Sequence, residues 1–182
     1  AGALIGFING TVISVFRMMP FIVTLGMMGI ARGTAKWLGD NHTVNPDDNP
    51  LNHIMAPVNP LELFPLPAGV WIAIGLAIGM AIVMRQTVFG RHIFAIGSNE
   101  DTARLCGIPV QRQKMLIYPL ACVFFAIAGI MQYSRLTQGD PTVAIGLELE
   151  IIAAVVIGGA SLNGGSGSIF GTVIGALIMG VL

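Results

Sequence analysis

Charge is what this sequence has least of. Of its 182 residues only 10% are Asp, Glu, Lys or Arg, against roughly 25% in an average soluble domain. That is too little to cover the surface of a water-soluble chain of this size. The formal net charge is zero, which argues against nucleic-acid binding, where a basic balance is the rule. Cysteine is nearly absent: Cys106 lies in a charged stretch and Cys122 in an apolar run, so neither a disulfide framework nor metal-ligand spacing is present. A basic n-region is also lacking, and with it the pattern of a signal peptide.

What fills the sequence instead is apolar. Hydrophobic residues make up 54% of the chain, with 24 Gly and 10 Met, and the mean hydropathy is +0.81. The solvent for most of such a chain is lipid. Both ends, AGALIGFING and GALIMGVL, are apolar without a charged anchor. The expectation is a fragment of a longer membrane protein lacking its N-terminal spans, with residues 1–182 forming a single transmembrane domain.

A spanning helix needs about 20 mostly apolar residues. Residues 66–84 and 115–134 satisfy this. Residues 20–38 do so less cleanly, because Arg32 and Lys36 fall in the second half and must snorkel outward or line a bundle interior. Residues 146–160 and 169–182 are apolar but short, and 1–16 read as the end of an earlier span. The expected fold class is therefore all-α: a polytopic helical membrane protein with about five to six spanning or partly spanning helices. Loop 85–114 holds Arg85, Arg91, Arg104, Arg112 and Lys114, whereas loop 39–65 holds Asp40, Asp47, Asp48 and Glu62 with no Lys or Arg. The positive-inside rule then makes 85–114 cytoplasmic and 39–65 extracytoplasmic, with Arg17 inside and the turn 136–145 outside. The outer loop, with its Asn–Pro and Pro–Asp steps, reads as a solvated connector or as a docking surface for an extracytoplasmic partner.

Within the charged loop, GSNEDTARLCGIPVQRQK (97–114) spells a short helix with both ends specified. Ser98 is a natural N-cap, with Asp101 at the capping-box position. Glu100 and Asp101 complement the positive end of the helix dipole. Gly107 suits a left-handed terminus, Ile108 would pack back on Ala103, and Pro109 prevents continuation. The spacing predicts a helix of about two turns near 99–106, too short to be stable in water by itself. It is either an interfacial helix resting on lipid headgroups or a rigid peg for a cytoplasmic socket. Its apolar content (Ala103, Leu105, Cys106) is thin for a lipid-lying face, which favours the peg.

These residues carry a resemblance. GRHIFAIGSNEDTARLCGIPVQRQK looks like the cytoplasmic coupling segment of ABC-importer permeases of the ribose/xylose/galactose type, relatives of the branched-chain amino acid permeases. PFIVTLGMMGIARG near the start and GLELEIIAAVVIGGASLNGGSGSIFGTVIGALIMGVL at the end resemble the same family. The similarity reaches nearly the whole chain apart from loop 39–65. It implies the transmembrane subunit of a binding-protein-dependent sugar importer in the bacterial inner membrane. Its implied partners are a cytoplasmic ATP-binding subunit, an extracytoplasmic sugar-binding protein, a second permease copy as a homodimer, and membrane lipid. By that resemblance Gly97, Asn99, Glu100, Ala103, Arg104, Gly107 and Ile108 form the ATPase-coupling helix. The chain itself would be no enzyme and hold no cofactor, ATP and Mg being bound by the partner. Thr102 and Cys106 stand where relatives often have Ala and Ser, and Ser166 where an Arg is often seen.

Other polar and small residues stay open to two readings. Glu148 and Glu150 begin an apolar segment, where they face the pathway or the binding protein, or only anchor a helix through its dipole. Asn9, Thr24 and Thr142 are able to hydrogen-bond a sugar or to bridge helices. Gly167, Gly171 and Gly175 recur every four residues, a spacing that lets helices approach closely in lipid. Gly158, Gly159, Gly164 and Gly165 in and around SLNGGSGS are expected bending points for alternating access. GGSGS lacks the Lys of a nucleotide-binding loop. Two other functions are weaker fits. An ion-driven secondary transporter would need a mid-membrane charge, for which Arg32 and Glu150 are the candidates. An intramembrane serine protease using Ser166 would need a histidine on a neighbouring span, but His42, His53 and His92 all fall in loops.

Overall fold

The computed structural model describes residues 2–16, 18–40, 42–44, 67–140 and 142–182. Most of loop 39–65 (residues 45–66, with Asp47, Asp48, His53 and Glu62) and Arg17 lie outside the described residues. The described chain is helical: α1 (Gly2–Phe16), α2 (Pro20–Leu38), α3 (Ala68–Gln86), α4 (Val88–Ser98), α5 (Glu100–Leu105), α6 (Val110–Leu136), α7 (Leu147–Ile157) and α8 (Ile169–Val181). Extended pairing among the described residues is limited to one antiparallel bridge, Val44 to Gly139. The fold is all-α, as the apolar runs require.

Helix length separates full from partial spans. At 1.5 Å per residue, the 19-residue α3 reaches about 28 Å, close to the hydrocarbon thickness of about 30 Å. The 27-residue α6 reaches about 40 Å and outlasts it. Both helices turn large apolar side chains outward: Ile78 is 50% exposed and Phe125 68%. The core helix of a soluble protein would bury such groups, so these faces belong against lipid. The 11 residues of α7 and 13 of α8 reach only about 16–20 Å, short of a crossing.

The chain forms two compact units. One comprises Ala1–Trp71 with Lys114–Val143. In it α1 lies against α6 through Gly2, Gly6 and Gly10: a methyl group at Gly6 would come within 2.5 Å of Pro119 Cα and the Tyr118 carbonyl oxygen. Pro119 has no N–H to give the helix ladder, and the glycine step of α1 lies against it. Ile13, Asn9 and Ser14 are buried in this contact region of α1. The segment after α2 joins the turn after α6 through Val44 N–H to Gly139 O (2.9 Å) and Gly139 N–H to Val44 O (2.8 Å).

The other unit comprises Ile72–Gln113 with Ala144–Leu182. Reading 85–114 as a connector with a single short helix proves incomplete, because residues 88–98 form α4. Thr87 starts it: its hydroxyl accepts from Gly90 N–H (3.2 Å) while donating to Val83 O (2.7 Å), so one side chain ends α3 and caps α4. In the same unit α7 and α8 make an antiparallel hairpin. Gly171 lies on the Gly158 carbonyl and Gly175 on the Ala154 carbonyl, so close that neither position has room for a side chain. This is the close approach that the four-residue glycine spacing predicts. Ser168 caps α8 by accepting from Gly171 N–H at 3.0 Å.

Candidate functional site

The site is built around α5, six residues between two caps. Its N-cap is Asn99, not Ser98. Ser98 remains the last residue of α4, whereas Asn99 turns extended (φ −157°, ψ 108°) and its Oδ1 accepts from Thr102 N–H at 2.9 Å. Asn serves this position as well as Ser, and the preceding helix claims Ser98 for its own ladder. The shift moves Asp101 off the capping-box position but leaves Glu100 and Asp101 in the first turn, where the dipole favours them. Asn99 thus closes α4, through its N–H to Ala95 O (3.1 Å), and opens α5, through its carbonyl accepting from Ala103 N–H (3.0 Å).

The C-terminal stop is as the spacing predicts. Gly107 has φ +81°, Ile108 N–H donates to Ala103 O (3.1 Å) and Gly107 N–H to Arg104 O (3.0 Å). This is the paired closure of a Schellman motif. Ala103 is buried at 4% exposure, whereas Leu105 stands 88% exposed and Cys106 is exposed. Along the outer side Arg104 pairs with Glu100 at 2.6 Å. Arg104, Pro109, Val110, Gln111 and Arg112 line an open cleft of about 460 Å³. The result is a short helix capped at both ends that turns one small residue inward and presents an exposed leucine and two exposed arginines outward.

Two contacts hold this element at its base. Gln113 on the first turn of α6 meets His92 on α4 (Nε2 to Nδ1, 3.0 Å), clamping together the helices on either side of α5. The other contact lies at Gly97. A methyl group there would sit 2.6 Å from the Gly165 backbone nitrogen, and one at Gly164 would sit 2.8 Å from the Gly97 oxygen. One at Gly165 would lie 2.8 Å from Ser98 Cα. The loop between α7 and α8 therefore rests backbone to backbone on the last turn of α4. Gly164 (φ +90°) and Gly165 (φ +78°) hold left-handed conformations there. Of the two roles open to these glycines, bending or close packing, Gly164 and Gly165 have the contacts of the second: both are backed against another element. Gly159 (φ +84°) has open space around it, whereas Gly158 is packed under Gly171.

The remaining candidates do not gather at this site. Asn9 is buried on α1 with no hydrogen-bond partner for its Oδ1. The Thr24 hydroxyl donates back to Pro20 O and Phe21 O of its own helix. Glu148 accepts from Gly146 N–H at 2.8 Å, fastening the start of α7, and Glu150 is exposed. Thr142 is engaged with Asp140, its hydroxyl donating to the carboxylate at 2.6 Å. Gly167 (φ +155°) packs on Ala160. Ser166 carries an exposed side chain, its carbonyl accepting from Ser161 N–H, and His92 is directed to Gln113 instead.

Two features escaped sequence reasoning. The α1 glycines at 2, 6 and 10 repeat the same four-residue step as those of α8, a signal available but unused. For α4 the signals were the Thr87 cap and apolar residues at 89, 93 and 96. That helical step was hidden by reading the loop for charge.

Comparison with known proteins covers the chain from end to end. Residues 1–182 match the family model described as branched-chain amino acid transport system / permease component. The chain is 40% identical over 175 residues to the L-arabinose transport system permease protein AraH of Escherichia coli (strain K12), covering 96% of this chain and 52% of that protein. It is 38% identical over 181 residues to the ribose import permease protein RbsC of the same strain, covering 100% of this chain and 56% of that one. It is 37% identical over 165 residues to the probable ABC transporter permease protein YphD, covering 91% and 48%. The chain thus spans about half the length of the curated relatives it matches. No solved structure matches it.

Proposed function

This chain belongs to the branched-chain amino acid transport system / permease component family, and we propose from that membership that it forms part of the membrane-spanning subunit of a binding-protein-dependent ABC importer. The cargo is a monosaccharide, with L-arabinose and ribose, named in its relatives, the first to test. The permease lines the translocation pathway and catalyses no reaction. ATP and Mg are handled by a separate cytoplasmic subunit, and an extracytoplasmic binding protein delivers the sugar to a pair of permease copies in the inner membrane. Segment 85–114 faces the cytoplasm and loop 39–65 the other side.

The observation that carries the reading is α5. A six-residue helix capped at both ends by Asn99 and Gly107 is too short to persist unless its ends are satisfied. It projects Leu105 and Arg104 next to a cleft, and so has the build of a peg. Ala103, sealed inward, fixes the peg's seating. A partner that pushes on it displaces the two helices it joins, α4 and α6. A flexible loop would absorb the same push.

The test uses the full-length protein in inverted vesicles with a membrane-impermeant maleimide. Cys106 on the peg reacts and Cys122 in α6 serves as internal control. Addition of the ATP-binding subunit suppresses the Cys106 reaction, and ATP then drives release of sugar that was loaded, with the binding protein, into the vesicle lumen. Labelling of Cys106 from the opposite face only, or release driven by an ion gradient without ATP, overturns the proposal.

A further inference from the structure

We propose that Gly97, Gly164 and Gly165 form a second transmission contact, through which displacement of the α5 peg reaches the α7–α8 hairpin directly. The inference rests on the importer reading above and names the route that the motion takes.

Along the chain, α5 and α7 are joined only through the 27-residue α6 and the turn that follows, a path of about 40 Å. Through space the path is one contact. Asn99 belongs to both α4 and α5, with its N–H in the first and its carbonyl in the second, so the end of α4 and the start of α5 move together. Gly97 and Ser98, two and one residues before it, bear on Gly165 and Gly164 with separations below 3 Å for a methyl group added at Gly97, Gly164 or Gly165. No side chain stands between them to swing aside. Close-packed backbone of this kind has little compressibility and passes displacement on.

The receiving element is equally stiff. Ala154 of α7 and Gly158 just after it lock under Gly175 and Gly171 of α8, so the hairpin moves as one body when its tip is pushed. The start of α8 is also tethered to the end of α3, with the Arg85 guanidinium 5.8 Å from the centre of the Phe170 ring, a cation–π distance. Left-handed φ at Gly164 and Gly165 reserves the tip for glycine. The α7–α8 hairpin, too short to cross the bilayer, is then a lever set against the peg's base.

The experiment uses the full-length permease reconstituted with its ATP-binding and sugar-binding proteins. Affinity for the ATP-binding subunit, ATP hydrolysis and sugar uptake are measured side by side. In Gly164→Ala the subunit binds as in wild type and hydrolyses ATP, but sugar moved per ATP falls at least tenfold. A second variant inserts one glycine after Asn163, which loosens the tip without adding a side chain to clash, and gives the same uncoupling. Wild-type sugar-per-ATP ratios in a folded Gly164→Ala or in the insertion variant overturn the transmission contact. So does a proportional loss of hydrolysis and uptake. Failure of the wild-type permease to engage any ATP-binding subunit would instead sink the importer reading on which it stands.

Discussion

Replacing Gly107 tests the peg through backbone conformation alone, because its φ is +81° and the space around its Cα is open. A methyl group there meets no neighbour, so the cost is purely conformational. An L-residue in the left-handed region costs about 1–2 kcal/mol. Since α5 is too short to be helical unaided, this penalty falls on the population of closed, capped helix. Apparent affinity for a partner that needs the helix scales with that population. At about 1.4 kcal/mol per decade, Gly107→Ala weakens binding of the ATP-binding subunit by about 5- to 30-fold. Gly107→Asn, which tolerates the left-handed region, stays closer to wild type, and Gly107→Val is worse than Ala. Asn99→Ala removes the other cap at a cost of about 1 kcal/mol, and its effect multiplies with that of Gly107→Ala because both act on one helix–coil equilibrium. The assay is equilibrium binding of the subunit to full-length permease in nanodiscs. Gly107→Ala binding as wild type does, or Asn performing no better than Ala, refutes the reasoning.

Two further outcomes follow from packing and from charge. Gly175→Ala drives a methyl group into the Ala154 carbonyl across the hairpin, an overpacking that costs about 1–3 kcal/mol and lowers the thermal midpoint of the detergent-solubilised protein. Gly180→Ala on the same helix, with nothing near it, stays within about 0.5 kcal/mol of wild type. Asp140 is held below the usual carboxylate range, first by the Thr142 hydroxyl and then by the Thr142 N–H. A lowered value in the folded turn means that the carboxylate steadies it above the ordinary carboxylate pKa. That support fades as the pH falls through the lowered value. Thr142→Val keeps the N–H and removes the hydroxyl, so the Asp140 titration followed by carboxyl-carbon NMR moves up; an unmoved titration counts against the hydroxyl as the main cause.

What could be read from the chain alone was whatever depends on neighbours in sequence. Apolar runs set the spans because lipid leaves the backbone no partner but itself, and the runs at 66–84 and 115–134 became α3 and α6. The stop of α5 was legible for the same reason: Gly107, Ile108 and Pro109 act within one turn. Its start was misplaced by one residue, since whether Ser98 or Asn99 caps α5 depends on where α4 ends, and α4 was unseen. The glycines show the other limit. Gly164 and Gly165 in a break look like freedom to bend, but Gly97, almost seventy residues earlier, fills the space beside them. A glycine's sequence permits both mobility and contact, and only the element laid against it selects one. The chain therefore determined its long spans, the stop of α5 and its solvent, while tertiary structure decided which ends of those helices touch.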